Sequence, residues 1–349
     1  MIAWKPFGHD WSMASARLRC FLPCRYLSQA GWPCELFNLE HLSQYKIVIF
    51  QKIYAPEDIF LALRLKKMNC RVVFDLCDNH FYHPLDYETQ PDERLDRLRR
   101  MIGLADAVSV STPQLATLVD RKDCRIIDDA VDDFPDNAWH RFRGRLSALD
   151  WRIYPPRARL VWFGNAGTLD PPSGLADLGA LIPELNRLNR SVRISLGVIS
   201  NSRSLFDQRV CGAEFPVRYF EWDRRTFRSL FRRHDVCLLP VSQNPFTICK
   251  TNNRLLLSLL LGLPAVADPI PSYGEFSRFA LFGDWSSHLR TYLENRKLAR
   301  EHVATAREYI RREYTPLRVV RQWSELFDLL GIAVPTAAGH ETPAELAPR

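Results

Sequence analysis

The chain has 349 residues, 46% hydrophobic and 25% charged, with a formal net charge of +7 at pH 7. Such a length and balance describe an ordinary soluble globular protein of about two domains and exclude a disordered or fibrous chain. The longest apolar run, around 255–267, carries Ser258, Gly262 and Pro264 and is too short to span a bilayer, and the opening MIAWKPFGHDW lacks the apolar core of a signal peptide.

Nine cysteines are scattered along the chain; only Cys20 and Cys24 lie close, and no second pair or histidine cluster completes a metal site. Reduced thiols in a cytoplasmic protein are therefore expected. The positive charge is local, in RLDRLRRM (94–101), HRFRGR (140–145) and DRRTFRSLFRRH (223–234). These runs read either as solvated helix faces or as attraction to an anionic ligand or the anionic inner face of a membrane. No nucleic-acid-binding pattern is visible.

In chain order, Met1–Trp4 reads as a strand and Ser12–Ala30 as a helix, with Leu18, Phe21, Leu22, Tyr26 and Leu27 at helical spacing. Arg17 falls in the first turns of that helix, where it can meet a ligand held above the first strand. CELFNL is the next strand, and the β-branched KIVIFQK (46–52) reads as a central parallel one. Pro56–Lys67 reads as a helix, CRVVFDL (70–76) as a buried strand, Arg94–Leu104 as a helix, AVSVS (107–111) as a strand, Pro113–Val119 as a helix and RIID (125–128) as a closing strand. Strands alternating with helices imply a doubly wound parallel sheet.

The pattern then dissolves into Asp, Trp, Arg and Pro, as expected of a linker at 136–157. A second series follows: RLVWFG (159–164), a helix near Leu175–Leu188, VRISLGVI (192–199), VRYFEW (217–222), a helix near Arg224–Arg233 and VCLLPV (236–241). Asn244–Tyr273 comes next as loop, helix, stop and strand. Thr251 is the expected N-cap of a helix starting at Asn252, with apolar surface on most sides; Gly262 and Pro264 stop it, and Ala265–Ala267 is a buried strand. The polar head of that helix, Lys250 to Arg254, suits a phosphate at a helix amino end. The chain is then helical from Trp285 to about Leu330 with a break at Thr315-Pro316, and 333–349 has the composition of a disordered tail. Two βα series imply two facing Rossmann-like domains.

Ligands of such sheets sit beyond the carboxyl ends of the strands. There lie Gly164, Asn165, Gly167 and Thr168, suited to an anion or to a tight turn; Glu221 and Trp222, suited to flank a base or to pack; and Ser242, Gln243 and Asn244. After the fourth strand come Asp78 and His80, suited to a sugar or acceptor hydroxyl or to an Asx-type turn. Asp128, Asp129, Asp132 and Asp133 form an acidic knot that suits either a cation or a polar corner. GxSxG, P-loop, HExxH and CxxC motifs are absent.

HDVCLLPVSQNPFTICKTNNRLLLSLLLGLPAVADPIPSY resembles the donor-site segment of retaining glycosyltransferases of the "glycosyl transferases group 1" type, which have the GT-B fold. FDLCDNHF, VSVSTPQLATL, IIDDAVD and VWFGNAGT resemble other pieces of that family in order, so the likeness covers about 1–330. It implies an N-terminal acceptor-side domain (1–135) on which a last helix (about 316–330) packs back, and a donor domain (158–315). It also implies Lys250 and Arg254 on the donor diphosphate, opposite the 164–168 amides, and Asn253 and Thr251 near phosphate or ribose. Glu221 and Trp222 would border the base, with Asn244 on the donor side, and Arg17 and Ser272 would meet substrate. No cofactor is implied beyond the nucleotide-sugar, and no bound metal, because protein cations do that work.

The chain departs from the family twice. Leu257 stands where relatives carry the glutamate that holds the ribose, and Cys249 where they carry one that contacts the sugar. Asp268, Asn244 and Ser272 are left to take over. The resemblance implies a cytoplasmic transferase acting on a glycan, lipid-linked or small-molecule acceptor, as in cell-surface polysaccharide biosynthesis. The alternatives are a non-catalytic nucleotide-sugar-binding relative and a sugar-nucleotide epimerase. The last requires paired carboxylates that the sequence does not offer.

Overall fold

The structure, a computed structural model, describes residues 1–82, 91–134, 158–168 and 172–332; the expected linker (136–157) and tail (333–349) lie outside them. The chain divides into two compact units, Met1–Asp132 with Cys249–Thr251 and Glu313–Arg349, and Asp133–Ile248 with Asn252–Arg312.

The first unit is built on β1 (Ile2–Lys5), β2 (Cys34–Leu36), β3 (Ile47–Gln51), β4 (Arg71–Leu76), β5 (Ala107–Val110) and β6 (Cys124–Ile126). They pair in parallel in the order β2-β1-β3-β4-β5-β6, so the order reverses between β1 and β3. Ile47 to Gln51 are all buried, which is why KIVIFQK reads as an unbroken apolar run. The edge strand β2 is shorter than CELFNL because Asn38 leaves it to cap a 3₁₀ turn, its side chain accepting from the Glu40 amide at 3.1 Å.

The helix expected over Ser12–Ala30 comprises Ala14–Ala16, a π-helical stretch Arg17–Phe21 and Leu22–Gln29. Against it packs the last helix, Pro316–Leu329, whose Trp323 meets Trp4 edge to face with ring centroids 5.5 Å apart. Phe327 fits between Trp4 and Trp32 in the same core. Thr315 caps that helix from the Arg318 amide at 3.1 Å, and Pro316 opens it.

The second unit is built on β7 (Ala158–Phe163), β8 (Ile194–Ser200), β9 (Val217–Glu221), β10 (Val236–Leu239), β11 (Ala265–Ala267) and β12 (Leu281–Phe282). Their parallel order is β12-β11-β10-β7-β8-β9, reversing between β7 and β10. Helices Leu175–Asn189 and Trp285–Glu294 bury Leu178, Leu185 and Leu289 against the sheet. The long C-terminal helical run breaks at Asn295 as well as at Thr315. The expected Arg224–Arg233 helix shortens to Phe227–Phe231, and Arg203–Arg209 adds a helix capped by Ser202.

Candidate functional site

Helix Asn253–Leu261 follows β10 in the second unit and stops at Gly262, whose φ of 103° few residues but glycine adopt. It begins one residue later than expected, with Asn252 rather than Thr251 at the cap and no side chain capping its amino end. Thr251 belongs to the short segment 249–251, held in the first unit by the bond from Thr112 Oγ1 to the Cys249 carbonyl at 3.1 Å. Burial covers Leu255, Leu256, Ser258, Leu259 and Leu261, whereas Asn253, Arg254, Leu257 and Leu260 are half-buried. The apolar helix therefore keeps one more open stripe, starting at its polar head. Leu257 lies on that stripe and not in the core.

Arg254 extends to the carboxyl end of β7. A Cβ placed on Gly164 would lie 3.3 Å from the Arg254 Nη1 and 3.2 Å from the Trp162 ring, so glycine lets the guanidinium approach the backbone. Tyr273, fully buried, hydrogen-bonds Arg254, and burial pushes its phenol above the ordinary range. Among the described residues no carboxylate forms an ion pair with Arg254. The Arg254 charge acts on Asp177, whose carboxyl burial raises; Asp177 accepts from the Ser242 hydroxyl, from the Ser242 amide at 3.1 Å and from the Gly174 amide at 2.9 Å. Asp177 thus ties the turn after β7 to the turn after β10.

The amides of the turn after β7 bond partly within the turn and partly to β8 and the residue after it. The Gly164 amide donates to the Ile199 carbonyl, that of Ala166 to Asn201, that of Gly167 to Asn165 and that of Thr168 to Ser173. The Gly164, Ala166, Gly167 and Thr168 amides, expected to face the diphosphate, are therefore engaged within the unit, and the tight-turn reading describes this segment. Asn244 is engaged too: its side chain accepts from the Phe246 and Thr247 amides at 3.0 Å each and donates to the Pro172 carbonyl. Asp268 accepts from the Val241 amide and the Trp285 indole. Of the three residues expected to replace the missing glutamates, Ser272 alone keeps a buried hydroxyl with no hydrogen-bond partner among the described residues, next to Tyr273. Glu221 accepts from the Tyr219 hydroxyl at 2.6 Å at the end of β9, and Trp222 follows with its amide on the Ser200 carbonyl.

In the first unit the carboxyl ends of β3 and β4 carry a separate cluster. Asp78 lies 2.5 Å from Lys250 and 3.1 Å from Lys52. Burial acts to raise its carboxyl, but the charges of Lys250, Lys52 and His80 outweigh that and hold it well below the usual carboxylate range. Lys52 adopts a left-handed φ of 47°, lies 5.1 Å above the Phe7 ring, and is held charged by Asp78 against the effect of burial. His80 Nδ1 lies 3.0 Å from the Tyr54 hydroxyl, while Asn79 accepts from the Phe81 and Tyr82 amides in an Asx-type turn. Asp78 and His80 therefore occur together with Lys250. Arg17 does not join them: it is 3% exposed, with its guanidinium on Asp132.

The acidic knot is a set of ion pairs. Asp132 meets Arg17, Asp129 meets Arg19 at 3.2 Å, Asp128 meets Arg318 at 2.6 Å, and Asp133 meets Arg224 at 2.6 Å. Among the described residues no group of three or more His, Cys, Asp or Glu side chains is placed to hold a metal ion. Sequence reasoning missed Asp177 and Tyr273, whose roles arise from contacts across the sheet; only the Gly174 to Asp177 spacing, a helix-capping pattern, points to the first.

No family profile matches this sequence, and no curated protein matches it. Solved structures do. A mutant of Staphylococcus aureus TarM in complex with fondaparinux, alpha-GlcNAc-glycerol and UDP superposes with a TM-score of 0.56 at 13% identity, over 81% of this chain and 55% of that one. The UDP-forming alpha,alpha-trehalose-phosphate synthase of Burkholderia xenovorans gives 0.52 at 14% identity, over 82% and 73%. The pneumococcal O-GlcNAc transferase GtfA, in complex with UDP and GlcNAc, gives 0.52 at 11% identity, over 89% and 60%. The chain thus spans little more than half of the TarM chain. The likeness is one of fold, and with two parallel six-stranded Rossmann-like sheets on one chain that fold is GT-B.

Proposed function

We propose that this chain is a glycosyltransferase that takes its sugar from a nucleotide-sugar, with the donor diphosphate on the second unit at Arg254 and the uncapped start of helix Asn253–Leu261. The observation that carries this reading is Arg254 itself. It is an arginine without a carboxylate partner among the described residues, at the positive end of a helix dipole and beside a glycine at the strand-order reversal. A departing nucleoside diphosphate gains negative charge as the glycosidic bond breaks. A fixed cation there stabilises the transition state more than the ground state. The retaining course, independence from metal and "group 1" kinship belong to this reading through the sequence resemblance. Ser272 and Asn253 take the ribose or sugar side, with Glu221, Trp222 and the 164–168 turn bordering the nucleotide, and Asp78 and His80 serve the acceptor. UDP-sugars come first as donors, because the TarM and GtfA structures contain UDP. A glycan, lipid-linked or small-molecule acceptor, and action at the cytoplasmic face of a membrane, complete the proposal.

One observation favours a second reading, a nucleotide-sugar-binding relative without turnover. Leu257 is apolar on the half-open face of the helix, where the family resemblance calls for a glutamate. Incubation with UDP-sugars separates the two: release of UDP supports the transferase, and saturable binding without release supports the binder. The donor site is tested by calorimetry with UDP, GDP and ADP. Arg254→Ala weakens the preferred diphosphate by about 1.5–3 kcal/mol, the scale of a charge-assisted hydrogen bond. Unchanged affinities would remove the site assignment. Lys250→Ala is the companion: a similar loss of affinity assigns Lys250 to the diphosphate, and a loss of turnover alone assigns it, with Asp78, to the acceptor.

A further inference from the structure

The opposite end of helix Asn253–Leu261 carries a second concentration of positive charge. At its carboxyl end Arg232 Nε donates to the Leu261 carbonyl at 3.1 Å. Arg307 reaches the next residue, its Nη1 4.0 Å from where a Cβ on Gly262 would stand. Arg228 lies one turn before Arg232, and Arg311 one turn after Arg307 on the helix Arg296–Glu313. Arg232 and Arg307 thus meet at Leu261-Gly262 from two elements, and the charges of Arg228 and Arg311 also act on Arg307.

Helix capping accounts for Arg232. The Gly262 and Leu263 amides bond the Ser258 and Leu259 carbonyls, and Arg232 takes the Leu261 carbonyl and complements the dipole. Arg307 gains nothing of this kind. Its Nε is buried without a hydrogen-bond partner, and neither Arg307 nor Arg311 has an ion pair among the described residues. Burial first, and then the charges of Arg311, Arg232 and Arg228, make its guanidinium harder to keep protonated than an ordinary arginine. Arg307 and Arg311 therefore bring positive charge without an ion pair among the described residues to the end of an apolar helix, and a multivalent anion beside them relieves that cost.

We propose that Arg228, Arg232, Arg307 and Arg311 form a binding site for a phosphoryl anion, distinct from the donor site. The two sites lie at opposite ends of a helix of nine residues, about 13 Å long. Arginine suits phosphate because its fork donates two parallel hydrogen bonds to adjacent oxygens. The same chemistry is offered by a free phosphorylated metabolite and by an anionic lipid headgroup. The site does not depend on whether the chain transfers sugar.

The test uses the full chain carrying Arg254→Ala, so that the proposed donor site does not contribute. One arm titrates inorganic pyrophosphate by calorimetry; the other sediments the protein with phosphatidylcholine vesicles with and without phosphatidylglycerol. Adding Arg307→Gln and Arg311→Gln weakens the response by about tenfold or more in the arm that matches the natural source. A loss with pyrophosphate identifies a free phosphoryl ligand, and a loss confined to phosphatidylglycerol vesicles identifies a headgroup. No change in either arm overturns the site. Arg311→Gln alone, an exposed change, guards against misfolding of the double variant. In phosphate-free buffer Arg307→Gln leaves the thermal midpoint unchanged or higher, and a lower midpoint would show the arginines to be structural and overturn the proposal.

Discussion

Arg19 and Arg254 are both arginines among apolar strands, and their partners set their roles. Arg19 is 1% exposed and forms an ion pair with Asp75, which is 0% exposed and also accepts from Ser109 at 2.7 Å. Replacing Arg19 by Ala leaves a buried carboxylate uncompensated, and chemical denaturation is expected to show a loss of about 3–5 kcal/mol. A second residue-scale effect is tied to pH. Burial lowers the His234 pKa from its ordinary 6.5 to about 4, with Nδ1 donating to the Leu230 and Phe231 carbonyls. The unfolded chain then binds a proton at a higher pH than the folded one. Stability is therefore full above about pH 6.5, falls as pH drops towards about 4, and is flat with respect to this group below that. The difference between the two states amounts to roughly 3 kcal/mol. His234→Gln should remove this part of the slope in urea midpoints measured from pH 7 to pH 4.

At the scale of elements, turns and helix ends position the chemistry. Gly167 has φ 76°, and an added Cβ would lie 2.2 Å from the Ser173 carbonyl oxygen. Gly31 has φ 89° with nothing near its Cβ position. Gly31→Ala should therefore cost only the left-handed strain, about 1–2 kcal/mol, and Gly167→Ala a further 1–3 kcal/mol from the clash. Equal losses for the two would show that the turn after β7 yields easily. Helices were legible wherever a periodic apolar stripe ended in a stop signal, as at Pro56–Lys67 and Asn253–Leu261. The π-helical stretch Arg17–Phe21 was not, because the contacts of its buried Arg17 and Arg19 with distant carboxylates leave no mark in local spacing.

At the scale of the whole molecule, the first unit is completed by the last part of the chain. Trp323 and Phe327 are each 0% exposed against Trp4 and Trp32. Large buried aromatics are each worth about 3–5 kcal/mol, and a domain's total stability is about 5–15 kcal/mol. A chain ending at Arg312 should therefore unfold its first unit while the second stays resistant to limited proteolysis. Protection of residues 1–132 in that truncation would contradict the packing. The sequence alone established two βα series, their parallel sheets and the basic head at Lys250–Arg254, because apolar periodicity and Gly-Pro stops are local properties. Which polar groups remain open to a ligand was decided only in three dimensions. Asn244, Asp268 and the 164–168 amides look as available in the sequence as Arg254 and Ser272. Hydrogen bonds, some local and some to residues far along the chain, engage the first group, and Arg254 has no counterion among the described residues. The convergence of Arg228 and Arg232 on Arg307 and Arg311, nearly eighty residues on, is likewise a product of packing, since nothing local couples the two helices.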